Sequence, residues 1–288
     1  MPHTKQQLEQ LLADAQIAPR HRLGQNFLID LNLMRLLVDT AALTQRDTVL
    51  EVGCGAGSLT HLLAERAGAV VAVEIDRELA QLAAGELQGR PNVSLICADI
   101  LARKSAIEPA VLQAIAQARQ LLAGPLVLVA NLPFQVASPL IIDLLLERDM
   151  PEGIFITVQA EVAQRMAAQA GTHAYGLLSI LMQATGRVDL LRRIKPQAFW
   201  PMPNVHSAMI SWRRDAARCL DIRDMFKLKK AVELLLGHRR KTIRNCLALA
   251  DAQADYEPLL LRLGISSDDR GETLGPDKFV ALANLLAG

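Results

Sequence analysis

Asn131-Leu132-Pro133-Phe134 is the stretch of this chain with the clearest capacity for chemistry. It follows directly on Leu126 to Ala130, an apolar run that reads as a strand buried on both faces. Ligands in open α/β sheets bind at the carboxyl ends of such strands. Asn131 offers one acceptor oxygen and two donors there. Pro133 fixes its own φ and biases Leu132 toward an extended conformation, so the Leu132 carbonyl is held stiffly. Phe134 adds a flat face. An acceptor, a rigid carbonyl and a stacking ring suit a planar amino-bearing group such as adenine. Four residues match by chance often enough that an ordinary Pro turn, with Phe134 in the core, is the plain alternative.

A second constellation lies upstream. Thr48 to Val52 reads as a strand, and Gly53-Cys54-Gly55-Ala56-Gly57 follows at once. Glycines let a backbone approach a ligand closely at a helix N-terminus. Glu74 stands about 20 residues further on, where an acid can reach ribose hydroxyls. The dinucleotide fingerprint would need glycine at position 58, which is Ser58. Glu51 projects beside the turn, where a carboxylate is unwelcome to pyrophosphate but suits a sulfonium with an amino-acid tail. That favours S-adenosylmethionine over NAD. Asp99, at the end of a third strand, is placed to accept from an exocyclic adenine amine. Taken singly, Glu74 is a solvated loop acid and Asp99 a helix cap. Three successive strand ends with ligand-type groups point the other way.

These groups need a sheet to position them. Strands are expected at Thr48 to Val52, Ala69 to Val73, Val93 to Cys97, Leu126 to Ala130, Ile154 to Val158, Val188 to Ile194 and Ala208 to Trp212. Helices fall between most of them, at about 58–65, 77–87, 106–122, 139–147, 161–169 and 175–184. A polar-faced helix over 4–16 and another over 31–42 precede the first strand. This order predicts an α/β fold with a seven-stranded, mostly parallel Rossmann-like sheet. Ser105 and Glu108 have capping-box spacing before the helix at 106–122. Pro196 to Pro203 is read as an irregular loop on a surface or a site. After Arg214 the strand signals stop, which predicts domains at 1–214 and 215–288, the second small and all-helical. Its helices should break near Gly237, Gly264 and Gly275.

The 288 residues are 51% apolar and 21% charged, so the chain is globular rather than disordered. Only ten residues are aromatic, which leaves an aliphatic core. The four cysteines lack a Cys-x-x-Cys pair and the six histidines lack ligand spacing, so no metal is expected. No signal-type or membrane-length apolar run occurs, and a reduced cytoplasmic protein is the simplest reading. Net charge is only +1. The stretch from Arg218 to Arg244, however, holds nine basic residues against three acids. Helical spacing would put Arg240 and Arg244 on one face with Lys241 beside them. Such a local excess suits phosphate contacts, with Arg20 to Arg22 as a fallback.

With these residues in view, the chain resembles the rRNA adenine N6,N6-dimethyltransferase family of the bacterial small-subunit type. The resemblance is carried by Leu23-Gly24-Gln25-Asn26-Phe27-Leu28-Ile29-Asp30, Glu51 to Thr60, Glu74-Ile75-Asp76 and Asn131 to Phe134. It continues through Tyr175 to Ser179 and Phe199 to Ala208, and ends at Arg239 to Asn245. It implies a class I methyltransferase domain in which Asn26, Leu28, Gly53, Glu74, Asp99 and Asn131 contact S-adenosylmethionine. Asn131, Leu132, Pro133 and Phe134 would hold the target adenine, with Phe199 helping to clamp it, and Arg239, Arg240, Lys241 and Arg244 would meet RNA. The implied substrate is a pair of adjacent adenosines in a 3′-terminal hairpin of 16S rRNA, modified by a monomer during small-subunit biogenesis. Two departures stand out. The family usually has tyrosine where Phe134 stands, and Arg20-His21 replaces a commoner lysine pair.

Rival expectations come from relatives that methylate 23S rRNA to confer resistance, and from assembly factors in which catalysis is secondary. DNA-adenine and protein-glutamine methyltransferases share an Asn-x-Pro-aromatic site, but the basic C-terminal segment disfavours a protein substrate. An NAD oxidoreductase is the distant alternative.

Overall fold

A computed structural model of the chain describes residues 2–103, 106–251 and 253–286. All seven expected strands form one sheet: β1 Thr48–Val52, β2 Ala69–Glu74, β3 Val93–Cys97, β4 Leu126–Asn131, β5 Gly153–Gln159, β6 Gly186–Ile194 and β7 Ser207–Arg214. Their spatial order is 3-2-1-4-5-7-6. The ladders β3·β2, β2·β1, β1·β4 and β4·β5 are all parallel. The order reverses between β1 and β4, which puts the crevice at their carboxyl ends, where the glycine turn and Asn131 both lie. Every residue of β1 is buried, Glu51 included, because helices cover both faces of a parallel sheet.

Two compact units emerge. The first comprises Met1–Ala163 and Asp189–Trp212. Its N-terminal helix α1, Lys5–Asp14, starts at a capping box in which the Thr4 side chain accepts from Gln7 N while Gln7 reaches back to Thr4 N. Leu8 and Leu12 of α1 pack with Ala56 of the glycine turn and Leu79, so this helix backs the turn. Helix α2, Leu31–Ala41, is capped by Asp30 and buries Leu33, Met34, Leu37 and Val38 in the main core. The helices α3 Ser58–Arg66, α4 Arg77–Glu86, α5 Pro109–Leu121 and α6 Ala137–Leu146 connect the strands.

The second unit comprises Gln164–Val188 and Arg213–Gly288. Segment 164–188, expected within the first domain, therefore groups with the C-terminal helices. Its apolar helix, Leu177–Thr185, buries Leu178, Ile180, Leu181 and Met182 and packs on the helices Met225–Gly237 and Pro276–Leu285. The helix breaks fall where glycines are expected to place them. One helix ends at Gly237, another at Arg262 before Gly264, and the last starts at Pro276 after Gly275.

Three local expectations are corrected. Helix α5 starts at Pro109 rather than Ala106, because Ala106–Ile107 pairs antiparallel with Leu101–Arg103. Ser105, the expected cap, lies outside the described residues. Phe199–Trp200, inside the proline-rich loop, is not irregular but pairs antiparallel with Phe27–Leu28. The free N–H groups between Pro196 and Pro201 make that two-residue ladder possible. Finally, Arg240 and Arg244 do not share a helix face. Residues 238–241 form a turn, and a new helix, Ile243–Leu247, starts at Thr242, whose hydroxyl accepts from Asn245 N. No helix among the described residues is long and apolar enough to cross a membrane.

Candidate active site

The glycine turn is built for close approach. Gly53, Gly55 and Gly57 all have positive φ, at 75°, 58° and 83°. A Cβ at Gly53 would stand 3.1 Å from the Pro133 ring, and one at Gly55 would stand 2.8 Å from the Phe27 ring. A side chain at either position would fill the cleft and strain the backbone.

Glu74 ends β2 in the floor of the cleft, only 4% exposed. Its Oε2 accepts from Gly55 N at 2.8 Å and its Oε1 from Asp76 N at 2.9 Å. Burial pushes its carboxyl upward, against the pull of these two N–H groups. A carboxylate has about four lone-pair sites, so each oxygen keeps one that could accept a further hydrogen bond, as from a vicinal pair of hydroxyls. Asp76 in turn accepts from Arg20 Nη1 (2.9 Å) and Gln25 Nε2 (2.9 Å), and Arg20 also pairs with Glu78 at 2.7 Å. This grip seats the loop carrying Asn26 over the cleft. It also engages Arg20, which leaves Arg22, exposed and lining the cleft, as the cation of the Arg20 to Arg22 segment without an ion pair among the described residues. Asp99 is exposed in the cleft lining, with Oδ1 accepting from Leu101 N at 3.0 Å and Oδ2 without a hydrogen bond among the described residues.

Asn131 ends β4, half-buried and clamped from both sides. Its Nδ2 donates to the Asn26 carbonyl at 2.9 Å, and its Oδ1 accepts from the Thr157 hydroxyl at 2.5 Å. Thr157 is its direct partner across the β4·β5 ladder, and the Leu132 N–H donates to the Thr157 carbonyl at 3.1 Å. The clamp orients the amide and leaves Oδ1 its second lone pair. No described group donates to the Leu132 carbonyl. Phe134 is half-buried in the cleft wall and stands outside the main core cluster. Thr157 carries no signal in the sequence, since nothing in a threonine near a strand end points to a bond with a side chain 26 positions earlier.

Arg22, Asn26, Gly53, Glu74, Asp99, Asn131, Leu132, Pro133, Phe134 and Phe199 all line one cleft. Leu28 lies instead in a small adjoining cavity with Glu51, Gly53 and Asn131. Phe199 is 3% exposed and belongs to the main core, so little of its ring faces the cleft. Glu51 is fully buried, and burial pushes its carboxyl up to about 8. The Thr60 hydroxyl opposes that rise without reaching hydrogen-bond geometry, and Glu74 adds to it. Glu51 Oε2 has no partner among the described residues. An unpaired buried carboxyl beside a glycine cradle fits a ligand whose cationic, amine-bearing end enters this cavity.

A pH effect follows for the ligand-free protein. The folded state keeps the Glu51 proton that the unfolded chain loses near the ordinary carboxylate value, so stability should fall as pH rises from there toward 8. Glu74, also raised by burial, contributes with the same sign. Glu51→Gln should flatten the decline in melting temperature, and an unchanged profile would show that Glu51 is not buried as a neutral acid.

The match to known proteins is extensive. The family model described as "Ribosomal RNA adenine dimethylase" matches residues 18–287. The chain belongs to this family. Ribosomal RNA small subunit methyltransferase A of Pelotomaculum thermopropionicum is 37% identical over 283 residues, covering 93% of this chain and 91% of that protein. The protein of the same name from Mycobacterium bovis is 35% identical over 290 residues, covering 98% and 87%. Among solved structures, a dimethyladenosine transferase from Plasmodium falciparum shares the fold, with a TM-score of 0.69 at 20% identity over 88% of this chain and 94% of its own. The 23S rRNA methyltransferase ErmE gives a TM-score of 0.66 at 25% identity, covering 91% and 100%. Methyltransferases of the rRNA adenine dimethylase family use S-adenosylmethionine as methyl donor.

The basic residues assigned to RNA lie in the second unit, and the structure separates them. Arg239 donates to the carbonyls of His173 (3.0 Å) and Tyr175, so it ties a loop of its own unit. Arg244 donates to Ser267 Oγ at 2.7 Å and pairs with Asp268 at 3.5 Å. Arg240 and Lys241 are exposed in the turn, and no ion pair engages them among the described residues. Arg240→Gln with Lys241→Gln should flatten the salt dependence of rRNA binding, by about 0.7–0.9 in slope for each phosphate no longer neutralised, with cofactor affinity unchanged. An unaltered slope would show that this turn does not touch the RNA.

Proposed function

We propose that the protein transfers methyl groups from S-adenosylmethionine to N6 of two adjacent adenosines in a 3′-terminal hairpin of 16S rRNA, giving N6,N6-dimethyladenosine during small-subunit biogenesis. The observation that carries this reading is the end of β4. There a doubly clamped Asn131 amide, a Leu132 carbonyl without a donor among the described residues and the Phe134 ring line one cleft. On this reading Glu74 takes the ribose hydroxyls, Asp99 the adenine amine, and Asn26, Gly53 and Asn131 the remaining length of the cofactor. Leu28 and Glu51 enclose its amino-acid tail. The bound cofactor supplies a methyl group on a positively charged sulfonium.

What the chain itself must do is present the nucleophile. The N6 lone pair of adenine is delocalised into the ring. Donation from the amino group to Asn131 Oδ1 and the Leu132 carbonyl favours a more tetrahedral nitrogen and fixes its line of approach. No base is needed beforehand, because the N6 proton turns acidic only after transfer. The target base must leave its stack at about a few kcal/mol, and stacking on Phe134 returns about 1–3 kcal/mol. Family membership and the intact Glu74, Asp99 and Asn131 support an enzyme over an assembly factor without catalysis. The small-subunit enzymes, at 35–37% identity, support 16S over the 23S alternative, whose solved relative is 25% identical. We place the protein in the cytoplasm as a monomer, with the helical unit, including residues 215–288, holding RNA.

The test is a pair of variants. Phe134→Tyr should methylate at a rate close to the parent, whereas Phe134→Ala should lose about 1–3 kcal/mol of transition-state stabilisation, roughly 5- to 150-fold in rate. If Phe134→Ala methylates small-subunit RNA at the parent rate, the ring is packing alone and the base is not held here.

A further inference from the structure

A groove of about 660 Å³ opens on the first unit beside the cleft, lined by Ile29, Asp30, Leu33, Arg192, Arg193, Ile194, Lys195, Gln197 and Ala198. Arg192 and Arg193 lie on β6, the end strand of the sheet, and Lys195 follows it directly. All three are exposed, and among the described residues none of their side chains makes an ion pair. The one carboxylate among the lining residues, Asp30, serves as the cap of α2, its Oδ1 accepting from Asn32 N (2.9 Å) and Leu33 N (3.1 Å). Cations on an end strand often do no more than block edge-to-edge pairing. Here they line one concavity together with the partly exposed Ile29 and Ala198, and the basic run extends past the strand to Lys195.

The groove is joined to the cleft by backbone. The ladder Phe27↔Trp200, Leu28↔Phe199 continues as Ile29 N donating to the Ala198 carbonyl at 2.9 Å. Asn26, Phe27 and Phe199 line the cleft at one end of this ladder, and Ile29 and Ala198 line the groove at the other. Lys195 stands four positions before Phe199, a reach of at most roughly 13–14 Å. We infer that this groove is a second RNA subsite, in which Arg192, Arg193 and Lys195 hold backbone phosphates of nucleotides flanking the target adenosine while Ile29 and Ala198 meet their sugars. The inference rests on the RNA reading of the adjoining cleft. Contacts of this kind set position and register without reading sequence. They anchor the strand on the same unit that holds the base, which steadies a flipped nucleotide independently of the helical unit.

The triple variant Arg192→Gln, Arg193→Gln, Lys195→Gln tests this in the full-length protein. Binding of the small-subunit hairpin with its flanking strands should have a salt slope shallower by about 2, from roughly 0.7 per single-strand phosphate contact. S-adenosylmethionine affinity and kcat at saturating RNA should stay at parent values, with the loss confined to KM for RNA. Parent-like cofactor affinity also shows that the variant is folded. An unchanged salt slope in a variant whose parent methylates 16S rRNA overturns the subsite and leaves the cleft reading standing. A parent that binds the RNA but transfers no methyl group overturns the cleft reading, on which the subsite depends.

Discussion

Asn131→Ala lowers single-turnover methylation by about 10²–10³-fold, the usual cost of deleting one preorganised polar contact to a reacting group. The variant removes the acceptor for N6 and strips the Asn26 carbonyl and the Thr157 hydroxyl of their partner. Leu132 still donates to the Thr157 carbonyl, so the strand end keeps its path and the protein stays folded. RNA affinity should be within about twofold of the parent, because phosphate contacts dominate it. Thr157→Val is the informative companion. It keeps the Asn131 side chain but frees one side of the amide, so it should lower kcat by roughly tenfold with little change in cofactor affinity, about the net worth of one hydrogen bond. Rapid-quench methyl transfer at saturating cofactor reads both effects. A parent-like rate for Asn131→Ala would remove the amide from the chemistry.

Glu74→Ala weakens S-adenosylmethionine binding by about 1–3 kcal/mol, roughly 5- to 150-fold, the range for hydrogen bonds to a charged group. It also destabilises the folded protein, because the Gly55 and Asp76 N–H groups lose their acceptor in a buried place. Asp99→Ala should cost a similar factor in affinity with little loss of stability, since Asp99 is exposed and among the described residues accepts only from the Leu101 N–H. Calorimetry and thermal unfolding on the two variants separate these outcomes. Unchanged affinity in both would move the cofactor out of this cleft.

The parts legible in the sequence are those whose signal is local. Five of the seven strands can be read from apolar runs because both faces of the sheet are covered there. The end strands Val93–Cys97 and Gly186–Ile194 are partly exposed and show a weaker pattern. The acids and the amide can be placed because each stands at the first polar position after such a run. What stays hidden depends on register or on distant packing. The Asn131–Thr157 bond exists because β4 and β5 pair in one particular register. The Phe27–Leu28 and Phe199–Trp200 ladder is two residues long, too short for any period to show. Segment 164–188 joins the C-terminal helices because the apolar faces of three helices meet, and no composition break marks that event. The turn at 238–241 mimics a helix because its charges happen to be spaced by four, while the signal that matters is the Thr242 cap beside it.

The central claim is that the end of β4 presents adenosine N6 of small-subunit RNA for two successive methylations. Mass mapping of modified adenosines in both rRNAs, from cells with the protein and cells without it, tests this most directly. The expected result is two adjacent N6,N6-dimethyladenosines near the 3′ end of 16S rRNA, present only with the protein and lost with Asn131→Ala. Methylation confined to 23S rRNA, or 16S adenosines modified equally in its absence, would contradict it.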